Sequence, residues 1–154
     1  MHKPASITHQ QRIAIVVSRY NINITQRLLD GASETLRKHG LVDDQIVSVW
    51  VPGAWEIPVV TQELLRRPDV VGVITLGAVI RGETTHDVHI NTSVSQALMQ
   101  LSLSTGKPVA FGVLTTNNVE QAMHRAGGNV GNKGEEAANA ILETLTALRE
   151  TCQG

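Results

Sequence analysis

Aromatic side chains are nearly missing from these 154 residues: Tyr20, Trp50, Trp55 and Phe111 make up 3% of the chain. A core so poor in rings must be filled by Val, Ile, Leu and Ala, and the few positions that do carry a ring become informative. Cysteine is as scarce. The single Cys152 excludes an internal disulfide and, with polar first residues that lack the apolar centre of a secretory signal, predicts a cytoplasmic protein. Apolar runs such as 13–17 are strand-sized and far below the ~18 residues of a membrane helix, so no membrane span is expected. Charge of one sign is also lacking. Thirteen Lys and Arg face 14 Asp and Glu, a formal net charge of −1. No bulk field recruits nucleic acid or a membrane surface, and any bound anion must be held locally.

Hydrophobic residues at 42% and charged residues at 18% are those of a globular chain rather than a disordered one. The length suits one core: a polar segment 1–10 followed by a single domain 11–154. Four β-branched runs, 13–17, 46–51, 70–76 and 109–114, read as strands buried on both faces. Between them the spacing turns helical. Ile24, Leu28, Leu29, Ala32 and Leu36 share a stripe that stops at Gly40, and a second helix opens at Pro58 and stops at Arg67 before Pro68. A third carries Ile90, Val94, Ala97, Leu98 and Leu101, a short fourth covers 118–126, and a fifth stacks Ala138, Ile141, Leu142, Leu145 and Leu148.

Alternating strands and helices of this size predict an α/β fold, a three-layer α/β/α sandwich around a central four-stranded parallel sheet, flavodoxin-like in its order. Ligands of such sheets bind beyond the carboxyl ends of the strands, here 18–23, 52–57, 77–86 and 115–118. Two of the scarce rings, Tyr20 and Trp55, fall there, where they either receive a flat ligand or seal the end of the core. Gly77-Ala78-Val79-Ile80-Arg81-Gly82-Glu83-Thr84-Thr85-His86 is a strand exit running into a helix start, a place where free N–H groups face a phosphate or where Thr84 or Thr85 simply caps the helix. It matches neither the P-loop nor the dinucleotide fingerprint. His86 is placed for proton transfer or stands as a solvated surface histidine; His86 and His89, with Asp87 between them, could pair on a metal, but no Cys or third His is placed to join them. Glu56 is either an acceptor for ligand hydroxyls and ring nitrogens or a first-turn glutamate favoured by the helix dipole. Arg125 and Lys133 bracket the glycine-rich stretch 126–132, read either as a flexible loop or as part of an anion site.

Taken in order, Ser18-Arg19-Tyr20-Asn21, Val51-Pro52-Gly53-Ala54-Trp55-Glu56-Ile57-Pro58, the stretch 77–86, Phe111-Gly112-Val113-Leu114-Thr115-Thr116 and Gly131-Asn132-Lys133-Gly134 resemble the lumazine synthases of riboflavin biosynthesis from Ile13 nearly to the end. Each motif alone is weak; their joint order is specific. The resemblance implies an enzyme, a transferase that condenses 5-amino-6-(D-ribitylamino)uracil with 3,4-dihydroxy-2-butanone 4-phosphate to 6,7-dimethyl-8-ribityllumazine, with no cofactor and no metal. It assigns Tyr20, Ala54, Trp55, Glu56, Ala78, Val79, Ile80 and Phe111 to the pyrimidine, Glu83, Thr84 and Arg125 to the phosphate, and proton transfer to His86, with Asn21 and Lys133 as further candidates. After the catalytic histidine the family commonly has an aromatic and then an acid; here the residues are Asp87 and Val88, which leaves Asp87 as the neighbouring carboxylate for His86. Tyr20 stands where a Phe is usual and Trp55 where a smaller ring is.

The resemblance also implies a homo-oligomer built of pentamers, some of which stack into decamers or close into icosahedral shells of sixty subunits, and riboflavin synthase as a partner. In it the segment leading into Ile13 adds an edge strand to a neighbour's sheet. Two rival functions are a non-catalytic flavin- or lumazine-binding protein on the same fold and a flavodoxin-like electron carrier.

Overall fold

The structure, a computed structural model, describes residues 7–152. In chain order it contains β1 (Arg12–Ser18), α1 (Ile22–Lys38), β2 (Ile46–Val51), α2 (Ile57–Leu65), β3 (Val70–Ile80), α3 (His86–Thr105), β4 (Val109–Thr116), α4 (Val119–His124), β5 (Ala126–Gly128), β6 (Gly131–Asn132) and α5 (Lys133–Cys152). The first four strands form one parallel sheet in the order β2-β1-β3-β4. Alternation along β1 divides the core between its two faces. Ile13, Ile15 and Val17 pack with Leu28, Leu36 and Ile141 of α1 and α5, while Ala14 and Val16 pack with Leu64 and Leu98 of α2 and α3. The three layers follow from that division.

The expectation that all four strands are buried on both faces holds for β1 and β3 and fails for the two edge strands, β2 and β4, the latter exposing Phe111. Lying at the sheet edge, β2 has Ser48 exposed and only Val51 fully buried. Strand β3 runs four residues beyond the apolar run that marked it, because Gly77 to Ile80 pair with Val113 to Thr116 of β4. Ala78, Val79 and Ile80 are therefore strand residues rather than loop. The glycine-rich stretch after α4 is not a loose connection either: β5 and β6 form a small antiparallel hairpin, and α5 begins at once at Lys133, earlier than its apolar stripe shows.

The expected helix ends are found where left-handed geometry is needed, with φ +97° at Gly40 and +71° at Gly106. Of the amino-terminal segment, 1–6 lie outside the described residues, and with them most of the expected edge strand. Ile7 packs against the core, and the side-chain amide of Gln45 donates to the carbonyl oxygens of Thr8 at 2.9 Å and Gln11 at 3.3 Å.

Candidate active site

The turn after β1 is built by three constraints. The N–H groups of Arg19 and Tyr20 donate to the carbonyls of Val51 and Pro52 at 2.8 and 3.0 Å, which ties this exit to that of β2. Asn21 then takes a left-handed conformation, φ 63°, and its Nδ2 donates to the carbonyl of Ala78 at 2.9 Å. Asparagine tolerates that backbone better than most residues. The result anchors the turn to the far end of β3 and leaves the Tyr20 ring outside.

Across from it, Gly53 and Glu56 close the turn before α2, the Glu56 carboxylate accepting the Gly53 N–H at 2.9 Å. Trp55 lies between them. Tyr20 is 71% and Trp55 60% exposed, so neither ring seals this chain's core. Both rings line a cleft of about 470 Å³ together with Ala54, Ala78, Val79 and Ile80. That size and its largely apolar wall suit a small planar molecule.

The same cleft is lined by Gly82 and Thr84 of the turn before α3 and by His86 and Asp87 of its first turn. Thr84 Oγ1 accepts the His86 N–H at 3.3 Å, and Thr85, the residue preceding the helix, makes no capping bond to its backbone. Val88 and His89 donate their N–H groups to the Thr85 carbonyl at 3.1 and 3.3 Å, so among the described residues the Asp87 N–H is the first-turn donor left without a protein acceptor beside the cleft. Among the described residues the His86 ring has no hydrogen-bond partner, and the His89 ring lies 3.4 Å from Thr85 Oγ1. No group of three or more potential metal ligands occurs among the described residues.

The cleft thus joins Tyr20, Ala54, Trp55, Ala78, Val79, Ile80, Thr84 and His86 of the residues named from sequence. Others lie apart from it. Glu56 is occupied by its own turn, Glu83 is exposed on the loop, and Asn21 acts through Ala78. Phe111, on the exposed side of β4, and Arg125, at the end of α4, do not line this chain's cleft, and neither does Lys133, whose N–H donates to the Arg125 carbonyl at 2.8 Å. Asp87 is not bonded to His86; its carboxylate lies 3.8 Å from Arg81 Nε. Gly53, Gly82 and Ile90 also line the cleft, although the resemblance assigns them no role in it. For Ile90 the signal was present, since it stands four residues after His86 and shares its side of the helix.

Residues 10–149 match the family described as 6,7-dimethyl-8-ribityllumazine synthase. The chain is 51% identical over 134 residues to a protein of Rhodopirellula baltica and 49% identical over 134 residues to one of Pediococcus pentosaceus, both named 6,7-dimethyl-8-ribityllumazine synthase. Each alignment covers 87% of this chain and 86% of the relative.

Proposed function

Because the chain belongs to the 6,7-dimethyl-8-ribityllumazine synthase family, we infer that it condenses 5-amino-6-(D-ribitylamino)uracil with 3,4-dihydroxy-2-butanone 4-phosphate, releasing phosphate and water. The observation that carries this reading to particular residues is the single cleft in which two exposed rings, an apolar strand end and the open start of α3 meet. The pyrimidine lies against Tyr20 and Trp55, with Ala54, Ala78, Val79 and Ile80 as its wall. Its amine faces the ketone of the second substrate, whose phosphate rests on the turn at Glu83 and Thr84. Backbone N–H groups and a hydroxyl are the donors there, and the helix dipole has the right sign.

The chemistry requires the amine to attack the ketone, water to leave to give an imine, phosphate to be expelled, and the ribitylamino nitrogen to close the second ring on the remaining carbonyl with loss of a second water. Holding two substrates face to face supplies a large part of such a rate. His86 assists by taking and returning protons at the amine and the carbinol oxygen, which its open ring permits.

The site is completed by a neighbour in a cyclic homo-oligomer, a pentamer or an assembly of pentamers. This is supported by the exposure of Phe111 (40%) and Arg125 away from the cleft of their own chain. In that arrangement Phe111 closes the neighbour's pyrimidine pocket, and Arg125, with Lys133 beside it, meets the neighbour's phosphate. The protein works in the cytoplasm, with riboflavin synthase consuming its product. Mixing both substrates with the purified protein and following lumazine absorbance together with phosphate release tests the activity. Absence of both signals would overturn it.

A further inference from the structure

One carboxylate in the cleft has no use in the scheme above. Asp87 sits in the first turn of α3 with a side chain only 9% exposed, yet it lines the cleft beside His86 and Ile90. Among the described residues it accepts no side-chain hydrogen bond. The nearest cation, Arg81 Nε at 3.8 Å, forms an ion pair beyond hydrogen-bonding distance, and it is another nitrogen of that guanidinium, Nη1, that donates to Asn117 Oδ1 at 2.9 Å. An ionised carboxylate can only accept, and a largely buried one is better satisfied by a donor at hydrogen-bonding distance than by an ion pair at 3.8 Å. Such a group on a cleft wall is satisfied by what enters the cleft.

Charge excludes the phosphate as that partner, since two anions repel. Position favours the pyrimidine, because Asp87 lines the same cleft as the two rings and the apolar strand end. We propose that Asp87 is a substrate-binding and specificity-determining residue, its carboxylate accepting an N–H of the exocyclic amino group of the aminopyrimidine. The bond holds the amine where its lone pair faces the ketone, and it selects pyrimidines carrying that amine. No covalent step involves Asp87. The inference rests on the function proposed above, since it takes the aminopyrimidine as the ligand of this cleft.

The test uses the assembled full-length protein and measures binding of two ligands by calorimetry: 5-amino-6-(D-ribitylamino)uracil and the same compound without its 5-amino group, 6-(D-ribitylamino)uracil. Asp87→Asn is nearly isosteric, and its melting temperature and assembly mass are compared with those of the wild type. The variant should bind the amine-bearing ligand about tenfold to a hundredfold more weakly, as for loss of a charge-assisted hydrogen bond. It should bind the ligand without the amine as the wild type does, the two deletions being non-additive. Arg81→Gln, which keeps the carboxylate, should lose much less affinity for the amine-bearing ligand.

Equal losses for both ligands, or equal losses in the two variants, would overturn the proposal, because Asp87 would then act only by supporting the turn. A loss confined to the KM of the butanone phosphate would overturn it as well. Should Asp87→Asn fail to fold, the wild type alone still decides, since a wild type with no preference for the amine-bearing ligand refutes the contact. A wild type that forms the lumazine but shows no coupling refutes only this inference. One that binds neither pyrimidine refutes the underlying function, and the inference with it.

Discussion

Asn21 donates its side-chain amide to the carbonyl oxygen of Ala78 at 2.9 Å while holding its own backbone at φ 63°, so one residue joins the turn after β1 to the strand end that forms the cleft wall. The bond needs the asparagine amide, whereas the left-handed backbone is one that asparagine and glycine both tolerate. Asn21→Gly keeps the backbone and loses the bond; Asn21→Leu loses both. We expect a cost of about 1 kcal/mol for the first and about 2 kcal/mol or more for the second, read from denaturant midpoints. The pyrimidine KM should rise in the same order. Equal behaviour of the two variants would show that backbone geometry plays no part.

His86 has an open ring at the cleft and, among the described residues, no protein partner for it. His86→Ala should lower turnover by about 10²-fold, the lower end of general acid–base assistance, because no carboxylate is bonded to the imidazole. Pyrimidine affinity should change little. Single-turnover kinetics with both substrates saturating isolate the chemical step, and unaltered rates from acid to alkaline pH would make His86 a bystander.

Arg125→Ala should raise the KM of the butanone phosphate by the equivalent of about 1.5–3 kcal/mol and leave the pyrimidine KM near its wild-type value. If Arg125 serves the neighbour's cleft, co-assembly of the His86→Ala and Arg125→Ala chains restores activity. Random mixing leaves about one junction in four with both native halves. Mixed assemblies that gain nothing over the two parents would place Arg125 and His86 in one chain's site, or Arg125 in none.

Gly134 has a packing role. A Cβ there would collide with the carbonyl of Leu28, and the flanking Asn132 already fixes this contact. Asn132 Oδ1 accepts the N–H groups of Gly134 and Glu135 at 2.8 and 3.2 Å, and its Nδ2 donates to Arg27 O at 3.1 Å. Since a helix carbonyl cannot yield as a side-chain tip can, Gly134→Ala should destabilise by about 3 kcal/mol, the upper range for overpacking. Thermal melts should show Asn132→Ala less damaged, by about 1–2 kcal/mol for a lost cap.

At the opposite end of the sheet, Asp69 binds Arg67 at 2.7 Å and Arg12 at 3.1 Å. Hydrogen bonding from Arg67 outweighs partial burial and lowers the Asp69 carboxyl from 3.8 to about 2. Because the folded value lies below the unfolded one, the stabilisation is fully present above 3.8 and is lost as pH falls through about 2. The stability gap between wild type and Asp69→Asn should therefore be constant near neutrality and close in strong acid. A gap that widens on acidification would contradict the pairing.

Much of this protein is determined by its linear pattern. The β-branched runs could bury only as strands and the stripes between them only as helices, so the layered parallel sheet follows from periodicity, and the ends at Gly40 and Gly106 from backbone freedom. The order of short motifs carries the family without any fold. What the pattern could not decide depends on partners distant in the chain. Sheet order makes β2 an edge, pairing with β4 prolongs β3 through Ile80, and the β5–β6 hairpin arises from local bonds that leave no apolar signature. The same holds in the cleft, where sequence offered Asp87 to His86 as its neighbour along the chain. Helix geometry instead turns consecutive side chains apart and buries Asp87 in the cleft wall near Arg81, because on a helix adjacency in sequence is not adjacency in space.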